Sequence, residues 1–299
     1  MNEYINDKKN INRTALAFLA MLILVEMSSA YIPLAIYYIF PSISSVGLEA
    51  VSYGSLILML PLFYALTYFI PRGVITERQH MSVGTIFAVL AIGLGVSYAL
   101  NYAMTPVENL ISTIKSAFNV TPSLTYYDDL TLPSILYTVI GAPVIEELIF
   151  RKIMLDRLRP AGDSVAILFT ALAFGIYHMN ISQLGFAVWW GIVLGYVAVK
   201  TGGVRYTLIL HMIVNSLSVL WTFFYNSDKY TTSAIVSSAF TFVMFVAGMI
   251  LLIRAFRHDR INLSGPKLCG VHKSLFATPG TILVIIAALI ITSYNTILS

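Results

Sequence analysis

Along the chain, long apolar runs alternate with short breaks rich in charge, Pro or Gly. The runs fall at roughly 14–40, 50–70, 81–104, 133–158, 164–181, 184–200, 204–225, 232–254 and 276–297. A helix needs about 20 mostly apolar residues to cross a bilayer, and most of these runs meet that length. The first run is too long for a cleavable leader and no small-residue cleavage motif follows it, so it is expected to stay as an anchor. Between the third and fourth runs, Val107, Leu110, Ile111, Ile114 and Phe118 recur at helical spacing, with Glu108, Ser112, Lys115 and Ser116 opposite. That pattern predicts an amphipathic helix at the membrane interface, or one packed on the bundle. No internal repeat, low-complexity tract or soluble domain interrupts the series. The expected fold is all-α: a polytopic transmembrane helical bundle of eight or nine spans, forming one integral membrane domain over 1–299.

Composition narrows the class. The hydrophobic share is 58%, the charged share 11% and the mean hydropathy +0.82. A soluble domain carries about 25% charged residues. A soluble enzyme, a disordered chain and a nucleic-acid binder are therefore excluded, and the lipid bilayer is the expected surrounding. The lone Cys269 cannot form an intrachain disulfide or a Cys-rich metal site. Lys and Arg then test orientation. With a cytoplasmic N-terminus and nine alternating spans, only Lys115 and Lys229 of the 18 basic residues fall outside. A plasma-membrane protein with its N-terminus in the cytoplasm is expected.

Charge within hydrocarbon is costly, so an intramembrane ionisable residue is a functional hypothesis. The fourth run carries Glu146, Glu147 and Arg151, the fifth His178, and the seventh His211, while Glu26 stands alone in the first. Glu147 and Arg151 lie at i, i+4 and share a helix face, so their pairing neutralises one carboxylate. Glu146 points about 100° away and must find its partner on another helix. A carboxylate so placed suits general-base work. The link Arg159-Pro160-Ala161-Gly162-Asp163 reads as a tight helical turn. Glu146 precedes Gly162 by as many residues as His178 follows it, which sets both about 24 Å from the turn. His211 and Asn215 project from one face of the seventh run, where two N–H donors could meet one oxyanion.

Each feature also has a structural reading. Glu147 with Arg151 can be a plain ion pair, and membrane histidines or an Asn can simply bond across helices. Glu26 is expected to bond a neighbour inside the bundle, and His80, His258 and His272 to be solvated. The conjunction of polar faces on three helices favours a site.

Glu146-Glu147-x3-Arg151, Phe174-x3-His178 and His211-x3-Asn215 occur in that order on three hydrophobic segments. In this the chain resembles the CPBP family of CAAX proteases and bacteriocin-processing enzymes, also called the Abi family. These are intramembrane endopeptidases related to the Ras-converting prenyl-protein protease. The resemblance covers about 133–225, which would be the catalytic core. It implies that Glu146 activates the attacking water, helped by His178. Glu147 would support the site with Arg151 holding it, Phe174 would pack the wall, and His211 with Asn215 would form the oxyanion hole. The substrate implied is a membrane-associated protein or peptide, cut within the bilayer or near the cytoplasmic side.

Other hydrolytic classes lack their parts. No His-Glu-x-x-His and no Gly-x-Ser-x-Gly is present, and none of the aspartates sits mid-span. No cofactor is expected, although Glu146, His178 and His211 could in principle offer a two-His, one-carboxylate zinc set. The competing function is non-enzymatic: a transporter or bacteriocin-immunity protein using the Glu/His cluster for protons or cations.

Overall fold

The computed structural model describes residues 2–73, 77–118, 130–225, 230–258 and 277–298. Arg260, Lys267, Cys269, His272, Lys273 and Lys229 lie outside the described residues, as does the part of the amphipathic segment beyond 118. Helix dominates, with no strand among the described residues. We number the helices α1 (Asn2–Ile39), α2 (Ser45–Leu56), α3 (Met59–Thr67), α4 (Val83–Ala117), α5 (Leu132–Ala161), α6 (Asp163–Tyr177), α7 (Ile181–Thr201), α8 (Arg205–Tyr225), α9 (Tyr230–Arg257) and α10 (Pro279–Leu298). Eight stretches are long and apolar enough to cross a membrane; α2 and α3 form one of them, and α6 is the shorter apolar helix. Large apolar side chains such as Phe87, Phe242 and Leu289 remain exposed on the outside of the bundle. In water such a surface would drive association, whereas hydrocarbon accepts it.

Two elements differ from the expected pattern. The 105–117 segment is helical, but it continues α4 without a break at Pro106 instead of starting a new helix. Pro106 lacks an N–H, yet the ladder resumes on both sides of it. The fourth span is no uniform α-helix. Its stretches Tyr137–Gly141 and Glu147–Met154 are π-wound, with Ala142–Glu146 α-helical between them. Such π segments mark functional sites disproportionately, because each re-aims the side chains beyond it.

The core gathers around α5. Phe18 of α1, Phe63 of α3, Ile149, Phe150 and Met154 of α5, and Leu194 of α7 are almost fully buried. Small residues let the backbones approach: a Cβ on Gly191 of α7 would come within 2.6 Å of the Ala171 Cα of α6. At one end of the bundle Arg157 donates to the Thr67 carbonyl at 2.7 Å and the Ile153 carbonyl at 3.1 Å, tying α3 to α5. The Gly73 and Gln79 amides bond the Asp156 and Thr201 carbonyls at the same end. The α5–α6 turn closes there through Gly162, at φ 111°, and an Arg159–Asp163 ion pair at 2.8 Å. Only glycine adopts that φ readily.

Candidate active site

Three helices bring the ionisable residues together in the interior. Glu147 is the hub. Its Oε1 lies 2.9 Å from His211 Nδ1 and 3.3 Å from the Arg151 guanidinium, and Glu147 and Arg151 are about 99% and 98% buried. The Thr207 hydroxyl, one turn before His211, is a further hydrogen-bonding neighbour of Glu147. Against an ionised Glu147, His211 Nδ1 is the donating nitrogen, which turns Nε2 outward. Glu146 Oε2 lies 3.6 Å from that Nε2. One imidazole therefore stands between both carboxylates. Burial at this level is tolerable only because each charge has an opposite or bonding group beside it.

Glu146 reaches His211 of α8, a neighbour that the turn geometry did not name. The π winding of Glu147–Met154 bears on which side chains of α5 meet α8. Bonds from i to i+5 put more residues in each turn, so α5 advances less per residue and rotates its side chains relative to an α-helix. His178 instead docks on its own helix: its Nδ1 lies 2.8 Å from the Phe174 carbonyl, and its ring meets the Phe174 ring edge to face at 4.9 Å. Phe174 links the pieces. The Arg151 guanidinium stacks over it at 4.3 Å, and its ring touches those of Phe150 at 5.2 Å and His211 at 5.7 Å.

Asn215 Nδ2 donates to the Thr138 carbonyl at 2.8 Å, within the first π segment. A widened turn frees a carbonyl from the ladder, and this one has found a side-chain partner on α8. An amide nitrogen carries two hydrogens, so a second donor remains on Asn215. Phe174, His178, Trp190, His211 and Asn215 line a cavity of about 40 Å³. That is room for one water-sized molecule.

Sequence reasoning missed several neighbours. Tyr137 and Tyr177 both lie within electrostatic reach of Glu146, and Tyr137 stacks on Tyr53 of α2 at 4.4 Å. Trp190 is buried on the cavity wall, and its Nε1 has no hydrogen-bond partner among the described residues. Glu49 of α2 is buried and accepts from the Thr131 hydroxyl at 2.5 Å. Aromatic residues are common in apolar helices, so nothing in the pattern singled these out. Glu26 is half-buried, and the contact seen there is a Ser29 hydroxyl on its backbone carbonyl. His80 meets the Tyr206 ring at 6.0 Å.

A metal set would need several ligands turned to one point. Among the described residues no group of three His, Cys, Asp or Glu side chains is placed to hold an ion. His178 Nδ1 is engaged by the Phe174 carbonyl, which leaves Nε2 as its free nitrogen.

A multi-span helical membrane protein with buried carboxylates and imidazoles at its centre is the class so defined. Residues 128–217, a stretch shorter than a third of the chain, match the family described as type II CAAX prenyl endopeptidase Rce1-like. The match supports the CPBP and CAAX-protease family for this chain, at the segment that carries all three motifs. The family matched is a protease family, and the long apolar helices make the chain a multi-pass membrane protein. No curated protein and no solved structure matches it.

Proposed function

We propose that the chain is an intramembrane endopeptidase in which Glu146 activates water for attack on a peptide bond. The observation that carries the reading is the Glu146–His211–Glu147–Arg151 chain, which joins α5 to α8 beside a cavity of one water's size. Glu146 takes a proton from the water as the water oxygen bonds the carbonyl carbon. Glu147 fixes the His211 ring, and Arg151 holds Glu147. The second Asn215 N–H, and His211 Nε2 when it carries a proton, face the carbonyl oxygen as it gains negative charge. Glu146 then returns the proton to the leaving amine, with His178 at the cavity edge. The chemistry needs no cofactor. A proton-transporting reading would string ionisable groups across the bilayer, whereas these lie side by side between α5 and α8.

The substrate is a membrane-associated protein or peptide. The protein sits in the plasma membrane with its N-terminus in the cytoplasm, as the distribution of Lys and Arg favours. The whole chain acts as one membrane domain, with 133–225 as its catalytic core. The test is comparative peptidomics of membranes carrying wild type or Glu146→Ala at matched expression. Cut sites found only with wild type are expected. An identical peptide set from both, with any phenotype surviving the mutation, would sink the protease reading in favour of a non-catalytic role.

A further inference from the structure

Two cavities meet at the end of the bundle opposite the Arg157, Arg159 and Asp163 cluster. The first, of about 590 Å³, is lined by Glu108, Ser112 and Lys115 from the last third of α4, by His178 and Asn180 from the α6–α7 turn, and by Asn295 of α10. His178 belongs to this chamber and to the small cavity beside His211 alike. The second cavity, of about 420 Å³, is apolar. Ile114 of α4, Ile176 and Leu184 at the turn, and Ile285 and Leu289 of α10 line it, and it shares Ile111, Lys115 and Asn180 with the first. Both volumes lie in the range of ligand sites. The long continuation of α4 past Pro106 is what builds them, since Ile114 faces the apolar cavity, Glu108 and Ser112 face the polar one, and Ile111 and Lys115 line both.

We infer that this joined pair is the substrate's way in, and that the substrate arrives from the face of the membrane opposite the basic loops. This rests on the protease reading above. Arg157, Arg159, Lys200 and Arg205 crowd the far end of α5, α7 and α8, whereas among the described residues Lys115 is the one Lys or Arg lining the mouth. Basic loops face the cytoplasm, so the mouth opens outward. A polar chamber merging with an apolar groove fits a polypeptide whose cut segment lies beside its membrane anchor. The substrate class is therefore the outer juxtamembrane segment of a membrane-anchored protein, with the apolar groove holding the anchor's first residues. His178, half-buried and lining both the polar chamber and the small cavity beside His211, is where that segment meets the catalytic interior.

The test uses the full-length protein in a Cys269→Ser background. Ser112→Cys and Ser182→Cys are expected to react with a membrane-impermeant maleimide on intact cells, and Arg205→Cys only after permeabilisation. The reverse pattern overturns the inference. In parallel, single-span reporters carry a library of juxtamembrane segments on the outer face in one set and on the inner face in another. Cleavage of the outer set alone, abolished by Glu146→Gln and reduced at least about tenfold by bulky maleimide on Ser182→Cys, is expected. Cleavage of the inner set alone overturns the outward mouth and leaves the protease reading standing. No cleavage of either set, with the outer cysteines labelled, overturns both.

Discussion

Glu146 and Glu147 are neighbours in sequence with opposite structural fates, and two substitutions separate them. Glu146 keeps an Oε2 with no hydrogen-bond partner among the described residues beyond its 3.6 Å approach to His211. Glu146→Gln keeps the shape and removes the base, so cleavage should fall by about 10²–10⁴-fold while the melting temperature of the purified protein barely moves. Glu147 instead neutralises the buried Arg151 and anchors His211. Glu147→Gln leaves that guanidinium without its counter-charge, a loss of about 3–5 kcal/mol. Its melting temperature should therefore drop, and its expression with it. If thermal melts in detergent ranked Glu146→Gln as the more destabilised variant, these assignments would be reversed. The sequence exposed both carboxylates, Arg151 and His211 because charge stands out in an apolar run. It could not expose which imidazole meets which carboxylate, since that depends on the rotation of one helix against another.

At the scale of elements, the fourth span shows what pattern reading can and cannot reach. Its existence and approximate ends follow from hydrophobicity alone, and Leu132–Ala161 differs little from the expected 133–158. The π winding does not follow, because α and π turns accept the same apolar residues. The α4 continuation escaped for a related reason: Pro106 and the amphipathic stretch read as a boundary, yet the helix passes through both. Close packing does have a readable signal in small residues, once partners are known. Gly191 sits against Ala171, so α6 and α7 touch backbone to backbone beneath the site wall formed by Phe174 and Trp190. Gly191→Leu should force the two helices apart and cost about 1–3 kcal/mol, read as a lower melting temperature. Cleavage should fall too, because Phe174 and Trp190 ride on the separated helices. Unchanged stability would mean that α6 and α7 are not packed this closely.

For the whole molecule, the placement of α10 decides the number of crossings. Gly280, at its start, donates its N–H to Asn12 Oδ1 at 2.7 Å, and a Cβ there would strike the Asn12 backbone. Asn12 belongs to the start of α1, beside Lys8, Lys9 and Arg13. The far end of α10 reaches Asn295 and Thr296 at the mouth with Lys115 and His178. Helices α1 and α10 therefore run in the same direction, which requires an odd number of crossings between them. The eight long stretches include both, and the short α6 adds the ninth crossing that restores this parity. Pairing of Gly191 with Ala171, and of Gly195 with Ile167, shows that α6 runs alongside α7 over much of its length and is no shallow loop. The two ends of the chain should then lie on opposite faces of the membrane. Reporters that work on one face only, fused to either end of the full chain, should give opposite answers: inside for the N-terminal fusion and outside for the C-terminal one. Two answers of the same sign would remove α6 or α10 from the set of crossings. The outward mouth would lose its wall at Asn295 with the second of these.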